Sequence, residues 1–417
     1  STEKPTLKTI FEEKSDTYVE VDNNLMFLKD GSGFLRTSES SGYRHIYKVS
    51  FEGEVTAVTS GEWDVAELKG INEKSGLVFY TSYEEGAIYK HLYSIKLNGS
   101  KKIKLSTRQG TNDGSFSTGM KYYINYHSSA ANPPYISVHK SDGTELTVLV
   151  DNAELKEKVS SYNLSKKEFT TIKGVEHDLN AYVIKPPNFD PSKKYPVYFN
   201  IYNGPGANTV TDSWGGSSAM YLQLLAQKGY IIVSVDTRGT GHRGTKFKNC
   251  TYMQLGKYET EDMIAAAKEV QKWEYVDPDR IGVMGWSYGG YMASLCMTKG
   301  AEVFKMGIAV APVTNWRWYD TIYTERYMRT PAENANGYDD NSPINHVDKM
   351  KGKYLLIHGS GDDNVHVQNS MEMVDALVKR NVDFEMFIYT NKAHGIGGGY
   401  TREHLFSKML AFTLENL

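Results

Sequence analysis

The sequence predicts a two-part α/β chain: short antiparallel strands first, then a parallel sheet with helices on both faces. Three observations predict it. Residues 1–155 repeat a strand-and-turn pattern at near-constant spacing. Past Asp151, apolar strand-like runs alternate with helix-like runs. Within those runs, "GWSYGGYMAS" (285–294) sets a serine between glycines where a strand hands over to a helix.

The repeat comes first in the chain. His45-Ile46-Tyr47 precedes a turn with Gly53, His91-Leu92-Tyr93 one with Gly99, and Tyr135-Ile136-Ser137 one with Gly143. Gly33, Gly76 and Gly119 form a second set, each followed by an aromatic-rich strand, and both sets recur every 43–46 residues. A period of about 40–50 residues built of four short strands marks a β-propeller blade. A plain antiparallel sandwich is the alternative. About three blades fit residues 1–155. A closed propeller takes about 4–8 blades, and open sheet edges invite pairing with another chain. The expectation is therefore that this chain is the C-terminal part of a longer protein.

"NAELKEKVSSYNLSKKEF" is polar and helix-like and reads as the bridge to a second domain over 156–417. There "YPVYFNIYNG", "GYIIVSVDTRG", "RIGVMGW", "MGIAVAPV", "KYLLIHG" and "FEMFIYT" read as strands. "ETEDMIAAAKEVQKW", with apolar residues at helical spacing behind an acidic first turn, reads as a helix, as do "VQNSMEMVDALVKRN" and the C-terminal "REHLFSKMLAFTLENL". Alternation of this kind, with near-continuous apolar strands, predicts a parallel sheet covered on both faces.

Composition limits the partners. With 40% hydrophobic and 23% charged residues and a net charge of −3, the 417-residue chain has material for a large core and no basic surplus for nucleic acid. No run of eighteen apolar residues occurs, so no membrane-spanning helix is expected. The N-terminal Ser-Thr-Glu-Lys-Pro has no methionine and no signal-peptide pattern. Cys250 and Cys296 are the only cysteines, too few for a disulfide framework, and Cys296 reads as a small core hydrophobe. No His-Glu-x-x-His spacing appears, so neither metal nor cofactor is expected.

In "RIGVMGWSYGG" the strand is expected to end near Gly285 and the helix to begin near Tyr288. So sharp a turn needs small residues on both sides of Ser287, which Gly285 and Gly289 supply. A serine held this way exposes its hydroxyl above the carboxyl ends of the strands, as in an α/β-hydrolase. It needs a base, and the base needs an orienting acid; in that fold the acid and then the histidine follow the serine. Asp362 in "SGDDNVH" and His394 in "NKAHGIGGG" lie in loops after successive strands and are assigned these roles. Asp363 is the alternative acid, while His358 and His366 are weaker candidates for the base. The oxyanion donors are expected to be the Tyr288 N–H and the Tyr202 hydroxyl, which stands where lipase-like enzymes carry a His-Gly-Gly stretch.

Together with "FKMGIAVAPVTNWRWYDTIYTERYM", "YLLIHGSGDDNVH" and "YTNKAHGI", and less specifically "SGYRHIY", these residues resemble the prolyl oligopeptidase family of serine peptidases. The resemblance implies release of dipeptides with a penultimate proline or alanine from a free N-terminus. A proline ring wants a tight aromatic pocket. Val313, Trp316, Tyr319 and Tyr323 supply one, with the three aromatics on one face if the segment is helical. By resemblance, Tyr288 and Val365 complete it and Asn364 binds the carbonyl of the first substrate residue. The family holds the substrate amine with a glutamate pair in the earlier part of its propeller, which by length precedes this chain. Glu84-Glu85 is read as a solvated turn and Glu12-Glu13 as surface charge. A peptide with penultimate proline is thus the expected partner. The resemblance also implies a homodimer and a periplasmic or surface location. Tripeptide release or another post-proline cut, and an inactive propeller-bearing interaction protein, are the alternatives.

Overall fold

The computed structural model describes residues 7–417; the N-terminal Ser-Thr-Glu-Lys-Pro lies outside the described residues. The chain forms two compact units. One runs up to Glu157 and takes in 211–214 and 242–246; the other holds the remainder.

The first unit is three four-stranded antiparallel sheets. The first holds β1 (Met26–Phe27), β2 (Phe34–Ser38), β3 (His45–Val49) and β4 (Val55–Ala57). The second holds β5 (Val65–Asn72), β6 (Leu77–Ser82), β7 (His91–Lys96) and β8 (Ile103–Lys104). The third holds β9 (Thr111–Phe116), β10 (Tyr122–Ser129), β11 (Asn132–Lys140) and β12 (Glu145–Val150). These are propeller blades, and the repeated glycine explains their shared outer hairpin. Gly53, Gly99 and Gly143 have φ of 97°, 79° and 94°. Their N–H groups bond the carbonyls of Ser50, Lys96 and Lys140 at 3.0, 2.8 and 2.9 Å. A side chain is strained at such φ, so the turn selects glycine. Leu35, Ile46, Val65, Val78 and Tyr80 pack the first blade on the second, and Phe79, Leu92 and Tyr123 the second on the third.

Helix α1 (Ala153–Ser160) follows, and then an eight-stranded sheet. Its strands are β13 (Lys167–Lys173), β14 (Asp178–Ile184), β15 (Tyr195–Ile201), β16 (Ile231–Val235), β17 (Val276–Trp286), β18 (Met306–Val310), β19 (Lys353–Gly359) and β20 (Glu385–Tyr389). The order is β13-β14-β16-β15-β17-β18-β19-β20. From β16 to β20 neighbouring strands pair in parallel, whereas β13 and β14 join antiparallel. The expected parallel sheet is thus extended at one edge by an antiparallel hairpin. A β-hairpin needs no crossover helix; β13 is mostly exposed, whereas β14 is buried from Ala181 to Ile184 like the central strands.

The helices are α2 (Gly216–Gln227), α3 (Thr245–Asn249), α4 (Lys257–Val270), α5 (Tyr288–Lys299), α6 (Thr321–Met328), α7 (Ala335–Asp340), α8 (Gln368–Lys379) and α9 (Thr401–Asn416). Alternation along β15 shows that both sheet faces are covered. Tyr198 lies beside Tyr221 of α2 and Thr413 of α9, while the next residue, Phe199, meets Phe304 beyond α5 with ring centroids 5.9 Å apart. β16 and β18 are buried throughout. The chain adds β16 on one side of β15 and then β17 on the other. That reversal opens a crevice at the carboxyl ends of β15 and β17, the usual ligand position in an open α/β sheet. Cys250 and Cys296 are both free thiols. Among the described residues no helix is long and apolar enough to cross a membrane, and no His, Cys, Asp and Glu cluster could hold a metal.

Candidate active site

β17 ends at Trp286 and α5 begins at Tyr288, leaving Ser287 alone in the turn at φ 61° and ψ −118°. The glycines around it are dictated by close backbone approach. A Cβ on Gly285 would stand 2.0 Å from Gly289 O, one on Gly289 2.4 Å from Ile201 O, and one on Gly290 2.9 Å from Val310 O. The strained serine is held from behind by Ser287 N–H to Val310 O at 2.8 Å. The next loops are laced the same way: Ala311 N–H bonds Ile357 O (2.7 Å) and Ser360 N–H bonds Tyr389 O (2.9 Å).

His394 and Asp362 are brought together, with Nδ1 2.7 Å from Oδ2. Asp363 points to solvent, as does His366. The Asp362 side chain is sealed, and its Oδ1 accepts the N–H groups of Asn364 (3.0 Å) and Val365 (2.9 Å). His358, fully buried, donates from Nε2 to Val365 O (2.8 Å) and lies 3.3 Å from Asp362 Oδ2; Ser370 Oγ donates to its Nδ1 (2.6 Å). Burial alone would raise the Asp362 pKa. Hydrogen bonds from His358, His394 and the Asn364 N–H, with the charge of His394, outweigh it and hold the carboxyl well below the usual range. An ionised Asp362 keeps the proton of neutral His394 on Nδ1 and leaves Nε2 free as a base. Trp286, next to the serine, donates from Nε1 to His394 O at 3.1 Å and so ties the two loops.

Tyr202 follows β15, and its ring lies 6.0 Å from that of Tyr288. Gly204 makes room for this, since a Cβ there would stand 2.7 Å from Tyr202 Cε1 and 3.2 Å from Tyr288 Cγ. Tyr202 is partly exposed, and the partial burial of its ring raises the phenol further above neutrality, so its hydroxyl is protonated and able to donate. The Tyr288 N–H opens α5 directly after Ser287. Asn203, between Tyr202 and Gly204, has φ 62°, and neither side-chain polar atom meets a protein partner among the described residues.

The pocket segment is not one helix. Trp316–Trp318 is a 3-10 turn, Tyr319 is extended at φ −115° and ψ 166°, and α6 starts afresh with Asp320 accepting the Tyr323 N–H at 2.9 Å. The aromatics nevertheless converge. Ring centroids are 5.4 Å apart for Tyr288–Trp316, 5.7 Å for Trp316–Tyr319, 5.8 Å for Trp316–Tyr323 and 5.3 Å for Tyr319–Tyr323. Val313 and Val365 are buried, and the Tyr319 hydroxyl donates to Asn364 Oδ1 at 2.7 Å.

Sequence reasoning took Glu259 for an ordinary first-turn acid of α4. It is fully buried, and Tyr288 Oη donates to its Oε1 at 2.7 Å. Burial pushes its carboxyl up to about 7. The reading of Glu84 and Glu13 as solvated charge is also corrected, whereas Glu85 is exposed in a turn as expected. Glu84 accepts from Tyr80 Oη (3.1 Å) and Ser82 Oγ (3.2 Å) and pairs with Lys102; Glu85 pairs with Lys104. Glu13 accepts from Arg36 (2.6 Å), Ser38 (2.6 Å) and the Glu39 N–H (3.0 Å). Their arginine and lysine partners lie 18 to 23 residues away along the chain, which no local pattern announces.

Residues 217–417 match the prolyl oligopeptidase family, and residues 1–134 match the dipeptidyl peptidase IV (DPP IV) N-terminal region. The crystal structure of Porphyromonas gingivalis dipeptidyl peptidase 4 superposes with a TM-score of 0.94 at 45% identity, covering 98% of this chain and 58% of that one. Dipeptidyl peptidase 4 of Felis catus is 36% identical over 399 residues, and that of Trichophyton equinum 35% over 405, each covering 93% of this chain and 52% of the relative. This chain therefore spans about half the length of the curated relatives it matches.

Proposed function

We propose, from the premise that this chain belongs to the prolyl oligopeptidase family of serine peptidases, that it carries the catalytic part of a serine dipeptidyl peptidase cutting after a penultimate proline. The observation that carries this reading is the Asp362–His394 bond of 2.7 Å, presented beside the strained Ser287 and the ring cluster of Tyr288, Trp316, Tyr319 and Tyr323. In the first half-reaction Ser287 Oγ attacks the carbonyl carbon after proline and its proton passes to His394 Nε2. The carbonyl oxygen takes up negative charge, met by the Tyr288 N–H and the Tyr202 hydroxyl. His394 then returns the proton to the leaving amine as the C–N bond breaks. A water repeats the sequence on the acyl-enzyme, its proton passing through His394 back to Ser287 Oγ. Asp362 stays ionised and stabilises the imidazolium formed in each half. The aromatic set with Val313 and Val365 takes the proline ring, and Asn364 the preceding carbonyl.

Release of tripeptides, or another post-proline cut, is the second reading. One observation favours keeping it: Glu13, Glu84 and Glu85 already have partners within their own blades, so none of them is a free clamp for a substrate amine. Hydrolysis of Gly-Pro and Ala-Pro chromogenic amides with free and blocked amino ends separates the readings. Exclusive cleavage of free-amine dipeptide substrates supports the first, and equal cleavage of blocked or longer substrates the second. Unchanged activity in Ser287→Ala would remove the nucleophile and both readings with it.

A further inference from the structure

We propose that Glu259 is a positioning residue of the proline pocket: its carboxylate, sealed behind Tyr288, holds the tyrosine hydroxyl and so fixes the ring wall against which Trp316 packs. The inference rests on the post-proline hydrolase reading above.

Glu259 is the third residue of α4, and its Oε2 accepts the N–H of Gly256, the residue before the helix, at 3.0 Å. Capping alone would explain that contact. Glycine has no side chain with which to complete a reciprocal capping box, and capping needs only one carboxylate oxygen. It does not explain why the whole side chain is buried, nor why Oε1 accepts Tyr288 Oη at 2.7 Å. Tyr288 occupies an unusual place. Its backbone N–H follows Ser287, and its ring touches Tyr202, Tyr291 and Trp316 at centroid distances of 6.0, 5.4 and 5.4 Å. One hydrogen bond donated to Glu259 therefore orients a ring shared by the oxyanion side and the pocket wall.

The ionisable surroundings come from several elements. Asp262 lies on α4 itself, with its charge taken up by Arg238 at 2.9 and 3.0 Å. Cys250 follows α3, Tyr288 and Tyr291 stand on α5, and Tyr323 on α6. Burial, with Asp262 adding to it, raises the Glu259 carboxyl against the lowering effect of the Tyr288 and Gly256 hydrogen bonds. Both charge forms therefore occur near neutrality. The carboxylate accepts strongly from both donors. The protonated acid gives up acceptor strength at one of them, so the wall is held most firmly above neutral pH.

The test is the ratio of kcat/KM for Gly-Pro over Gly-Ala p-nitroanilide, measured against pH in wild type, Glu259→Gln and Tyr288→Phe. The ratio cancels the ionisation of the base common to both substrates. Loss of a hydrogen bond to a charged group predicts that the wild-type ratio falls about tenfold as pH drops through neutrality. In both variants it is expected to be flat. A Gln at 259 can accept from Gly256 and donate to the Tyr288 oxygen, and its melting curve checks the fold; Tyr288→Phe removes the same bond from the other end. An unchanged pH profile in Glu259→Gln, or a flat one in wild type, would overturn the proposal. Labelling of wild-type Ser287 by a fluorophosphonate tells the two failures apart. No labelling sinks the hydrolase reading and this inference with it, while labelling with a flat wild-type ratio sinks the inference alone.

Discussion

The two units carry left-handed backbone in different hands. In the propeller unit the outer hairpin turns at Gly53, Gly99 and Gly143 place φ between 79° and 97° on glycine, where it costs no steric strain. In the hydrolase unit the loops beyond β15, β17, β18 and β20 put Asn203 (φ 62°), Ser287 (61°), Ala311 (44°) and Ile396 (40°) there instead. Such residues cost about 1–3 kcal/mol each unless the surroundings over-determine them. Lys101, Met120, Asn152 and His242 of the first unit and Asn163, Met253, Arg329, Asn381 and Asn391 of the second also have positive φ, but none of these is buried, whereas Asn203, Ala311 and Ile396 are. The outer hairpin turns of the blades relieve strain with glycine. At the four loops beyond the sheet strain is retained, and three of its four bearers are sealed in packing.

The sharpest break in this comparison is Ser287→Ala, expected to lower kcat about 10⁴-fold or more while the protein stays folded. Asp362→Asn should cost about as much by presenting the wrong histidine tautomer. A steady-state assay beside a thermal melt checks both. Next comes Tyr202→Phe, which removes the hydroxyl proposed as an oxyanion donor and should reduce kcat by about 10²–10³ with KM little changed.

A smaller effect concerns stability. The folded pKa of Glu259 lies above its ordinary value, 4.5 against about 7. The folded state therefore binds the extra proton within that window. Its contribution is full below pH 4.5 and is lost as pH rises through about 7. Glu259→Gln should gain roughly 3 kcal/mol over wild type on going from acid to alkaline pH, read by urea unfolding. The smallest expected effect lies in the other unit. Gly99→Ala should cost about 1–2 kcal/mol by placing a Cβ in the left-handed region, and leave kcat as it was. Equal damage to kcat from Gly99→Ala would erase the contrast between the units.

Legibility in the sequence followed the same division. The blades were readable because Gly53, Gly99 and Gly143 repeat, and the elbow because Gly285 and Gly289 flank Ser287 between a strand and a helix. That Asp362 and His394 meet could be read ahead because strand order fixes the order of the loops. Glu259 is the first-turn acid that the sequence shows, but its burial was not legible, because such an acid looks the same in the sequence whether it caps a helix in water or is sealed behind a tyrosine. Glu13 and Glu84 failed for the related reason that their partners, Arg36 and Lys102, lie 23 and 18 residues away. The hairpin of β13 and β14 was not anticipated because β13 faces solvent and carries no continuous apolar run, so the buried run 181–184 of β14 had no visible partner. The convergence of the aromatic rings does not depend on the helix that would have put them on one face. Their segment breaks at Tyr319, yet Trp316, Tyr319 and Tyr323 still meet.

The rungs beyond the sheet, Ser287 N–H to Val310 O, Ala311 N–H to Ile357 O and Ser360 N–H to Tyr389 O, reach further than geometry. Amides locked in such a ladder give up deuterium only when the structure around them opens. The Ser287 amide is thus expected to exchange with the central strands, while the unlaced amides of residues 397–399 are expected to exchange early. Loosening the turn at Ser287 then requires opening the sheet, and insertions in this unit are expected to be tolerated in the turns that hold no rung.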